Sequence, residues 1–355
     1  MAFLFKEHSM FTDLVLIGRF QPLHNEHLRV IEEALMQTDH LIIVLGSCNV
    51  PRSSKNPFTA AERTSMICDA VSQPEKLSFV WSNDYPYNWN LWEEEIIDLV
   101  KESVLERLNS GLHVRLHGLD ECNIGLLCPH KDEATSEYLN LFKCWEHVDV
   151  PVEAPMNATQ VRDHIFFSSG KLIDMVPASV LNFLDLFDTE TMKSLKAEHK
   201  YIYEYKRMWA GAPFPPMFIT VDNAVIHRGK VLLIKRGGQP GNGLWALPGG
   251  FHEVGQTLWN SALRELHEET TLENVEQYFI ATDTFDNPSR SQLGAMVTHA
   301  FLFRIPDHLE VPVVEGQDDA AHAEWVPLED LEPEGMHDDH FWILERFCGE
   351  EGYIR

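Results

Sequence analysis

The sequence predicts an α/β protein of two domains: an N-terminal parallel sheet flanked by helices, followed by a C-terminal α+β domain. The chain has 355 residues, which is more than one hydrophobic core usually organises. In the first half, short apolar runs alternate with amphipathic helical patterns, as in a parallel sheet covered by helices. After about residue 213 the pattern changes to longer strand-like runs, a glycine-rich loop and one strong helix.

The predicted elements of the first half follow one another closely. They are a strand at 14–17, a helix at 25–37, a strand at 41–45, a helix at about 60–71, a strand near 77–81, a helix at 91–108 and a strand near 113–116. A connecting helix is predicted at 190–210, and the APFPP segment ends it. We therefore assign residues 1–187 to the first domain, 188–213 to a linker helix and 214–355 to the second domain.

The composition restricts the kinds of partner that the protein can have. A net charge of −27 disfavours nucleic acid, because a phosphate backbone needs a basic surface, but it permits small nucleotides. Six cysteines without a CxxC pair suit free thiols in a reducing cytoplasm. We expect no signal peptide and no membrane span, because no apolar run is long enough. The sequence leaves open whether the protein is a homo-oligomer.

One segment at the end of the first predicted strand carries the N-terminal chemistry. It reads Gly18-Arg19-Phe20-Gln21-Pro22-Leu23-His24-Asn25-Glu26-His27 and leads into the first predicted helix. This edge of an open parallel sheet is the usual ligand crevice, and a helix N-terminus offers N–H groups to phosphate. His24 and His27, three positions apart, share a helix face beside Arg19. On spacing alone, two histidines at a helix start are ordinary, so the interpretation depends on a second segment.

That second segment is Asn157-Ala158-Thr159-Gln160-Val161-Arg162, which places a hydroxyl and a cation at another predicted loop-to-helix junction. Together the two segments resemble the nucleotidyltransferase superfamily with an HxGH signature, and more closely the archaeal-type nicotinamide-mononucleotide (NMN) adenylyltransferases. Further matches to that subgroup are Lys55-Asn56-Pro57-Phe58 with Glu62-Arg63, Asn90-Leu91-Trp92, and His130-Lys131-Asp132 followed by Tyr138-Leu139-Asn140-Leu141-Phe142. The resemblance implies a Rossmann-like nucleotidyltransferase domain.

The resemblance also implies a reaction and residue roles. The NMN phosphate attacks the α-phosphorus of ATP, and pyrophosphate departs with Mg²⁺; positioning and electrostatics supply most of the catalysis. Arg19, His24, His27 and Arg162 would hold the ATP phosphates. Trp92 would stack on the nicotinamide ring, with Asn90 nearby. The other substrate-binding positions that the resemblance implies are Gly18, Phe20, Gln21, Lys55, Lys131 and Thr159.

Two residues depart from the pattern of this subgroup. Lys55 stands where an arginine is usual, so it keeps the charge but loses the bidentate fork, and weaker mononucleotide binding is expected. Glu26 replaces the glycine of the signature; it suits the helix dipole but opposes a nearby triphosphate. The sequence leaves open whether Glu26 faces solvent or helps to hold magnesium. An adenylyltransferase for another acceptor, such as a flavin or pantetheine phosphate, is the alternative, which Trp92 and the KNPF segment disfavour.

The C-terminal chemistry lies in a helix that follows the glycine loop Leu247-Pro248-Gly249-Gly250. Glu265, Glu268 and Glu269 occupy positions i, i+3 and i+4, so three carboxylates crowd one helix face. A hard divalent cation with oxygen ligands converts this repulsion into a binding site. Such a cation bridges diphosphate oxygens and activates water. A solvated acidic helix face is the alternative explanation of the same residues.

The spacing of this segment resembles the Nudix box, G-x5-E-x7-R-E-U-x-E-E-x-G-U, counted from Gly250. The resemblance implies an αβα sandwich with a mixed sheet, with Glu265, Glu268 and Glu269 as ligands of Mg²⁺, and Mn²⁺ as an alternative ion. Arg264 would orient the helix, and the backbone of Gly249 and Gly250 would shape the loop around substrate. Two positions depart from the box. Gln256 replaces the first glutamate, a partner of the arginine, and Thr271 replaces the last glycine, at some cost in stability.

Pro288, sixteen residues after Leu272, stands where Nudix members that cleave ADP-ribose often have a proline. It therefore favours ADP-ribose as the substrate, with AMP and ribose 5-phosphate as products. Nearly the whole chain resembles the bifunctional adenylyltransferase–Nudix proteins, which implies that ATP, NMN and ADP-ribose are its small-molecule partners. A Nudix domain that binds ADP-ribose or NAD as a sensor, without cleaving it, is an alternative that Gln256 leaves open.

Overall fold

The computed structural model describes residues 11–110, 122–130, 137–152, 156–167, 172–317 and 320–349. The chain forms two compact units, of which the first ends at Met192 and the second begins at Lys193. The predicted strand near 113–116 and the predicted site residue Lys131 lie outside the described residues. No helix of the described ranges is long and apolar enough to cross a membrane.

The first unit is a parallel sheet with helices, as predicted. Its strands are β1 (Phe11–Gly18), β2 (Thr38–Leu45), β3 (Leu77–Trp81), β4 (Ile124–His130) and β5 (Glu146–Pro151). Its helices are α1 (Asn25–Leu35), α2 (Ala60–Cys68), α3 (Trp89–Ser110), α4 (Ala158–Phe167), α5 (Ala178–Leu186) and α6 (Thr189–Met208), which continues into the second unit. Short 3₁₀ turns lie at Pro74–Lys76, Glu137–Leu141 and Leu172–Asp174. The sequence analysis did not predict β4, β5 or α5.

The strand order of this sheet determines where a ligand can bind. The order is β3-β2-β1-β4-β5, and every neighbouring pair is parallel. The chain therefore winds outward through β2 and β3, then returns past β1 to β4 and β5. In an open parallel sheet, the crevice lies at the carboxyl ends of the strands where this direction reverses. Here the reversal lies between β1 and β4.

Both faces of the central strands are buried. Val15 and Ile17 of β1 share one face with Ile42 and Val44 of β2, and the apolar side of α3 contributes to the same core. The alternate residues point to the opposite face and are also fully buried; they include Leu14, Leu41 and Ile43. Strands that are buried on both faces form near-continuous apolar runs, which explains why β1 and β2 were predictable from sequence.

The second unit is a mixed sheet between helices. Its strands are β6 (Met217–His227), β7 (Lys230–Arg236), β8 (Trp245–Ala246), β9 (Gly249–Phe251), β10 (Phe279–Phe285), β11 (Ala295–Arg304) and β12 (Ala320–Pro327). Its helices are α7 (Leu258–Thr270) and α8 (His340–Cys348), with 3₁₀ turns at Glu276–Tyr278, Leu328–Asp330 and Pro333–Gly335. The main strand order is β10-β11-β6-β7-β12, with β8 paired to β7 and β9 paired to β6.

Two apolar clusters cover the two faces of this sheet. Val221 and Val225 of β6 pack with Ala262 and Leu266 of α7 on one face. Ala224 and Ile226 point to the other face and pack with the apolar side of α8. The predicted αβα sandwich is therefore confirmed, and α7, which carries the acidic cluster, is fixed on the sheet by its own apolar side.

Helix α7 ends at a residue in a strained backbone conformation. Thr271 is the C-cap with φ 61° and ψ 3°, in the left-handed region, and its N–H donates to the carbonyl of His267. Glycine adopts this conformation freely, whereas a β-branched residue pays for it in free energy. The expected local cost of replacing the box glycine with threonine is therefore visible in the backbone.

We predict that Thr271→Gly stabilises the second unit by about 1 kcal/mol, because the left-handed strain disappears while the backbone bond to His267 remains. The change should raise the thermal unfolding midpoint of that unit. Gln277→Gly is the matched control: Gln277 is exposed and lies in a 3₁₀ turn, outside the positive-φ positions. A glycine there should leave the midpoint unchanged or lower it. Equal effects of the two glycines would contradict this account of strain at Thr271.

Candidate active sites

A cleft of about 460 Å³ opens at the carboxyl ends of β1 and β4. One part of its wall is the first predicted segment, including Gly18, Arg19, Phe20, Gln21 and His27. Another part is the second segment, Asn157, Ala158, Thr159 and Arg162, and the wall is completed by side chains that include Pro129, Tyr138 and Leu139. The two segments, more than 120 residues apart in sequence, therefore face one cavity.

The two histidines have different positions in this cleft. His24 is fully buried and is the N-cap of α1, because its Nδ1 accepts a hydrogen bond of 3.2 Å from the His27 N–H. His27 lies among the residues that line the cleft. The two imidazoles are stacked, with ring centroids 3.5 Å apart and planes 12° apart. His24 thus fixes the ring of His27, and His27 is the histidine that faces the cavity.

Gln21 ties this loop to the segment before α2. Its amide Nε2 donates to the Phe58 carbonyl over 2.8 Å, and its Oε1 accepts from the Phe58 N–H over 2.9 Å. Both groups are buried. The sequence resemblance implies a substrate-binding role for Gln21, yet its side chain here joins two pieces of backbone. These two hydrogen bonds therefore attach the loop before α1 to the KNPF segment.

Arg162 and Arg19 give the cleft its positive charge. Arg162 is buried and donates to the Gln21 carbonyl over 2.8 Å and to Thr159 Oγ1 over 3.1 Å, which are neutral acceptors. Burial, together with the neighbouring positive charge of Arg19 and against the opposing charge of Asp163, lowers the pKa of Arg162 to about 10, so Arg162 stays protonated at neutral pH. Two guanidinium groups at one cavity, with one of them bonded to neutral groups, favour an anionic ligand.

Glu26 neither faces solvent nor stays without a counter-charge. It is 5% exposed and accepts hydrogen bonds from Arg29, the shortest over 2.8 Å from Nη2. Arg29 also pairs with Glu33 over 2.6 Å and bonds to the Pro151 carbonyl. Because the charge of Glu26 is compensated one helical turn away, its opposition to a phosphate chain is reduced. Of the two placements that the sequence left open, Glu26 therefore does not have the solvent-facing one.

Two residues near the cleft lie outside the predicted site residues. Arg63 is 1% exposed and donates to the carbonyls of Arg19 and Gly46 over 2.8 and 2.7 Å, so it joins the loops that follow β1 and β2. Tyr138 lines the cleft, and burial raises the pKa of its phenol to about 12, so it stays protonated. Both belong to segments that matched the adenylyltransferase subgroup, which was the signal available for finding them.

The predicted mononucleotide-binding residues lie away from this cleft. Trp92 packs against Tyr138 and Phe142, with ring centroids 5.8 and 5.5 Å apart, and is therefore one ring behind the cleft wall. Asn90 is exposed at the start of α3, and Lys55 is half-buried in the segment before α2. None of the three is among the residues that line the cavity. Their roles stay predictions.

In the second unit, the glycine loop lies against the acidic helix. The Gly249 N–H donates to Glu269 Oε2 over 2.8 Å. A Cβ on Gly249 would overlap the Val221 carbonyl, and a Cβ on Gly250 would lie 2.7 Å from the Glu265 carboxylate. Only glycines therefore allow the loop to approach so closely. The predicted loop and the predicted carboxylates are in direct contact.

Glu269 lies in an environment that disfavours its negative charge, so a cation beside it would stabilise the ionised carboxylate. Its pKa is raised to about 8, mainly by burial and also by the charges of Glu265 and Asp222, while the Gly249 N–H and the charge of Arg236 oppose the rise. Glu269 is 6% exposed. At neutral pH a proton reduces this accumulated negative charge, and a divalent cation would do so more effectively. The donor set of buried and half-buried carboxylates fits a hard metal ion.

Arg264 holds the other two box glutamates. Its Nη2 is 2.8 Å from Glu265 Oε1, and its Nη1 is 2.6 Å from Glu268 Oε2. Among the described residues, no group of three histidine, cysteine or acidic side chains already stands together as a metal-binding cluster. The three box glutamates therefore share one helix face but are divided between Arg264 and the glycine loop.

The two remaining predicted positions lie at the edges of this site. Gln256 bonds to Glu253 and Ser261 rather than to the box arginine. Pro288 is exposed in the loop between β10 and β11. Two residues further on, Arg290 is buried and pairs with Asp339 over 2.8 Å, which anchors that loop. The contribution of Pro288 to substrate choice stays a prediction.

Comparison with known families agrees with this division into two sites. Residues 15–110 match the cytidylyltransferase-like family, and residues 217–347 match the NUDIX domain. The nicotinamide/nicotinic acid mononucleotide adenylyltransferase of Acinetobacter baylyi is 36% identical over 195 residues, which cover 54% of this chain and 94% of that protein. The matched length is close to that of the first unit, which ends at Met192.

Solved structures match both units together. The chain is similar to a bifunctional NMN adenylyltransferase/ADP-ribose pyrophosphatase from Francisella tularensis, with 30% identity and a TM-score of 0.84. A second structure of that enzyme, in complex with AMP and a manganese ion, gives 30% identity and a TM-score of 0.82. Each match covers 96% of this chain and 99% of the Francisella chain. The similarity therefore extends over both units.

We predict that Gln21→Met destabilises the first unit by about 2–4 kcal/mol. The methionine has a similar size but leaves the buried N–H and carbonyl of Phe58 without their bonds, and each such loss costs about 1–3 kcal/mol. Thermal unfolding of the full chain measures the effect. Gln37→Met is the control, because the single bond of Gln37 to the Glu33 carbonyl is exposed and 3.4 Å long. A Gln21→Met protein as stable as the control would show that the tie is unimportant.

Proposed function

This chain belongs to the family of bifunctional NMN adenylyltransferase/ADP-ribose pyrophosphatases, and we propose that its two units carry the two corresponding activities. The first unit forms NAD from NMN and ATP, and the second hydrolyses ADP-ribose. The first activity forms the diphosphate linkage of NAD, and the second cleaves the diphosphate linkage of ADP-ribose, so the pair serves NAD synthesis and recycling.

The cleft of the first unit supports adenylyl transfer. The observation that carries this proposal is that both signature segments line one cavity with Arg19, His27 and Arg162. His27, oriented by stacking on His24, donates to the phosphate chain of ATP. Arg162 and Arg19 attract the triphosphate and stabilise the charge that develops as pyrophosphate leaves. Glu26, paired with Arg29, is a wall of the cleft rather than a reacting group.

The reaction needs no nucleophile from the protein. A phosphate oxygen of NMN forms a bond to the α-phosphorus of ATP, and the bond between that phosphorus and the bridging oxygen breaks. Pyrophosphate leaves with the electron pair, and NAD is the other product. The chain contributes orientation and positive charge, which are the main sources of rate in phosphoryl-type transfers. Mg²⁺ supplies further charge neutralisation on the phosphates of ATP.

The second unit supports hydrolysis of a diphosphate. The observation that carries this proposal is the close approach of the Gly249–Gly250 backbone to the buried carboxylate of Glu269 and the half-buried carboxylate of Glu265. These two residues and Glu268 would hold Mg²⁺, or Mn²⁺ in its place, which supplies charge for the diphosphate oxygens and for an attacking water. Water adds across the diphosphate bond of ADP-ribose, giving AMP and ribose 5-phosphate.

The remaining parts of the proposal concern the setting of the protein. The partners are the small molecules ATP, NMN and ADP-ribose, and the net charge of −27 disfavours nucleic acid. For its location we propose the cytoplasm, because all six cysteines are free thiols.

One experiment decides between this function and its alternatives. The purified chain is incubated with NMN, ATP and Mg²⁺, and separately with ADP-ribose and Mg²⁺, and the products are resolved by chromatography. NAD in the first reaction and AMP in the second support the proposal. Flavin mononucleotide and pantetheine phosphate as competing acceptors test the other adenylyltransferases. Binding of ADP-ribose without release of AMP would instead support a sensor.

We predict that His27→Ala keeps the fold but lowers the rate of NAD formation by about 10²–10³-fold, the usual loss for a donor that stabilises developing charge. His24→Asn is the informative companion. Asparagine caps a helix well, so α1 should persist while the stacked ring is lost, and we expect a smaller decrease in rate. Steady-state kinetics with thermal unfolding of both variants measures this. Wild-type turnover of His27→Ala would remove His27 from the mechanism.

We predict that Glu269→Gln abolishes AMP release from ADP-ribose while NAD formation continues at the wild-type rate. The amide retains the size of the side chain but removes the charge that would hold the cation. Glu273→Gln, in the exposed segment after α7, is the matched control and should keep both activities. Product analysis of both reactions in each variant is the measurement. If Glu269→Gln hydrolyses ADP-ribose normally, the box does not act as proposed.

A further inference from the structure

Arg264, the box arginine of the second unit, has more hydrogen-bond donor groups than acidic partners within the box. Nη1 and Nη2 of Arg264 bond to Glu268 and Glu265. Its Nε is buried and has no hydrogen-bond partner within the described part of the chain. The box places a glutamate at position 256 as a partner of this arginine, and here that position is Gln256, which bonds elsewhere. Position 256 therefore supplies no carboxylate to Arg264 in this chain.

A carboxylate from a different position lies beside Arg264. Glu253 Oε1 is 3.8 Å from Arg264 Nη2, which makes Glu253 the third acidic partner of this guanidinium. Gln256 Nε2 donates to the other carboxylate oxygen, Oε2, over 2.6 Å. Gln256 in turn is oriented by Ser261, whose hydroxyl donates to Oε1 over 3.1 Å. The residue that replaces the box glutamate thus holds a glutamate three positions earlier.

The backbone of this segment keeps Glu253 in place. The Gln256 N–H donates to the Glu253 carbonyl over 3.2 Å, which closes a tight turn. Gly255 within the turn has φ 93°, a conformation that suits glycine. Helix α7 begins directly after it, with Thr257 as the N-cap. The turn, the helix start and the glutamate are therefore one local unit.

We propose that Glu253 is a positioning residue of the second site and replaces the missing box carboxylate. This rests on the proposed hydrolase function. Glu265 and Glu268 are bound to Arg264, and a divalent cation has to compete with that arginine for both of them. When they turn to a cation, the half-buried guanidinium needs another negative partner. Glu253 supplies it, and so lowers the cost of releasing Glu265 and Glu268.

The exposure of Glu253 sets the size of the expected effect. Its side chain is 57% exposed, whereas that of Arg264 is 24% exposed. Partners behind the ligands of a metal typically contribute about 10–100-fold to its affinity, and exposed charge pairs contribute less than buried ones. We therefore expect an effect near the lower end of that range.

The test uses the full chain and five variants. Glu253→Gln removes the charge and keeps the size. Gln256→Glu restores the box residue but brings two carboxylates together, and the double variant Glu253→Gln/Gln256→Glu exchanges the two side chains. Glu276→Gln, in an exposed 3₁₀ turn, is the control. Mn²⁺ binding is measured by calorimetry without substrate, with Glu269→Gln as the reference for ions bound outside the box. The Mn²⁺ concentration for half-maximal ADP-ribose hydrolysis is measured separately.

The expected results are specific to a carboxylate that can stand at either position 253 or position 256. Glu253→Gln should weaken Mn²⁺ binding by about tenfold and raise the half-maximal concentration similarly, with unchanged thermal unfolding. Gln256→Glu alone should not improve binding, because its carboxylate faces that of Glu253. The double variant should recover to within about twofold of the wild type, and Glu276→Gln should match the wild type.

Two results would overturn the inference: wild-type Mn²⁺ affinity in Glu253→Gln, or a double variant that binds no better than Glu253→Gln. Failure of the proposed function is a separate outcome. If the wild type binds Mn²⁺ but releases no AMP from ADP-ribose, the hydrolase proposal is wrong, and the calorimetric comparison still decides the role of Glu253.

Discussion

Both sites depend on one constraint. A buried charged side chain has to be fixed by hydrogen bonds to neutral groups, because an oppositely charged neighbour would cancel the charge that the ligand needs. In the first unit, Arg162 bonds to a carbonyl and a hydroxyl, and Arg63 bonds to the carbonyls of Arg19 and Gly46. In the second unit, Glu269 accepts from the Gly249 N–H. Neutral groups fix these side chains, so no ion pair cancels the positive charge that a phosphate needs, and in the second unit a cation would take the place of the proton on Glu269.

The fold explains why backbone groups are available at these places. The cleft of the first unit lies where the sheet changes direction, at the ends of β1 and β4, and there the chain leaves its ladder hydrogen bonds. The carbonyls of Arg19 and Gln21 are among the backbone groups left without a strand partner. They accept hydrogen bonds from the buried Arg63 and Arg162. In the second unit, β9 pairs with β6 and brings the Gly249 N–H over α7. Topology thus provides the partners, and the side chains provide the charge.

Features that lie within one short segment could be predicted from the sequence, whereas contacts between distant segments could not. The GRFQP segment, the acidic face of α7 and the buried strands β1 and β2 were predictable, because each is a pattern within one short stretch of the chain. Strand β5 was missed because EHVDVP is polar and mostly exposed. The bonds of Gln21 to Phe58 were equally inaccessible, since they join residues 37 positions apart. For Trp92 the sequence predicted an aromatic ring near the site, and the structure places that ring behind Tyr138.

Two departures from the family signatures have compensations of the same kind. Glu26, in place of glycine, is paired with Arg29, and Gln256, in place of glutamate, is bonded to Glu253. In both cases the partners are three positions apart, in a helical turn or a tight turn, where side chains at i and i+3 are neighbours. Such a partner needs no change elsewhere in the fold. A charge introduced or lost at a site can therefore be balanced by one nearby residue, and a signature residue is informative only together with the turn that surrounds it.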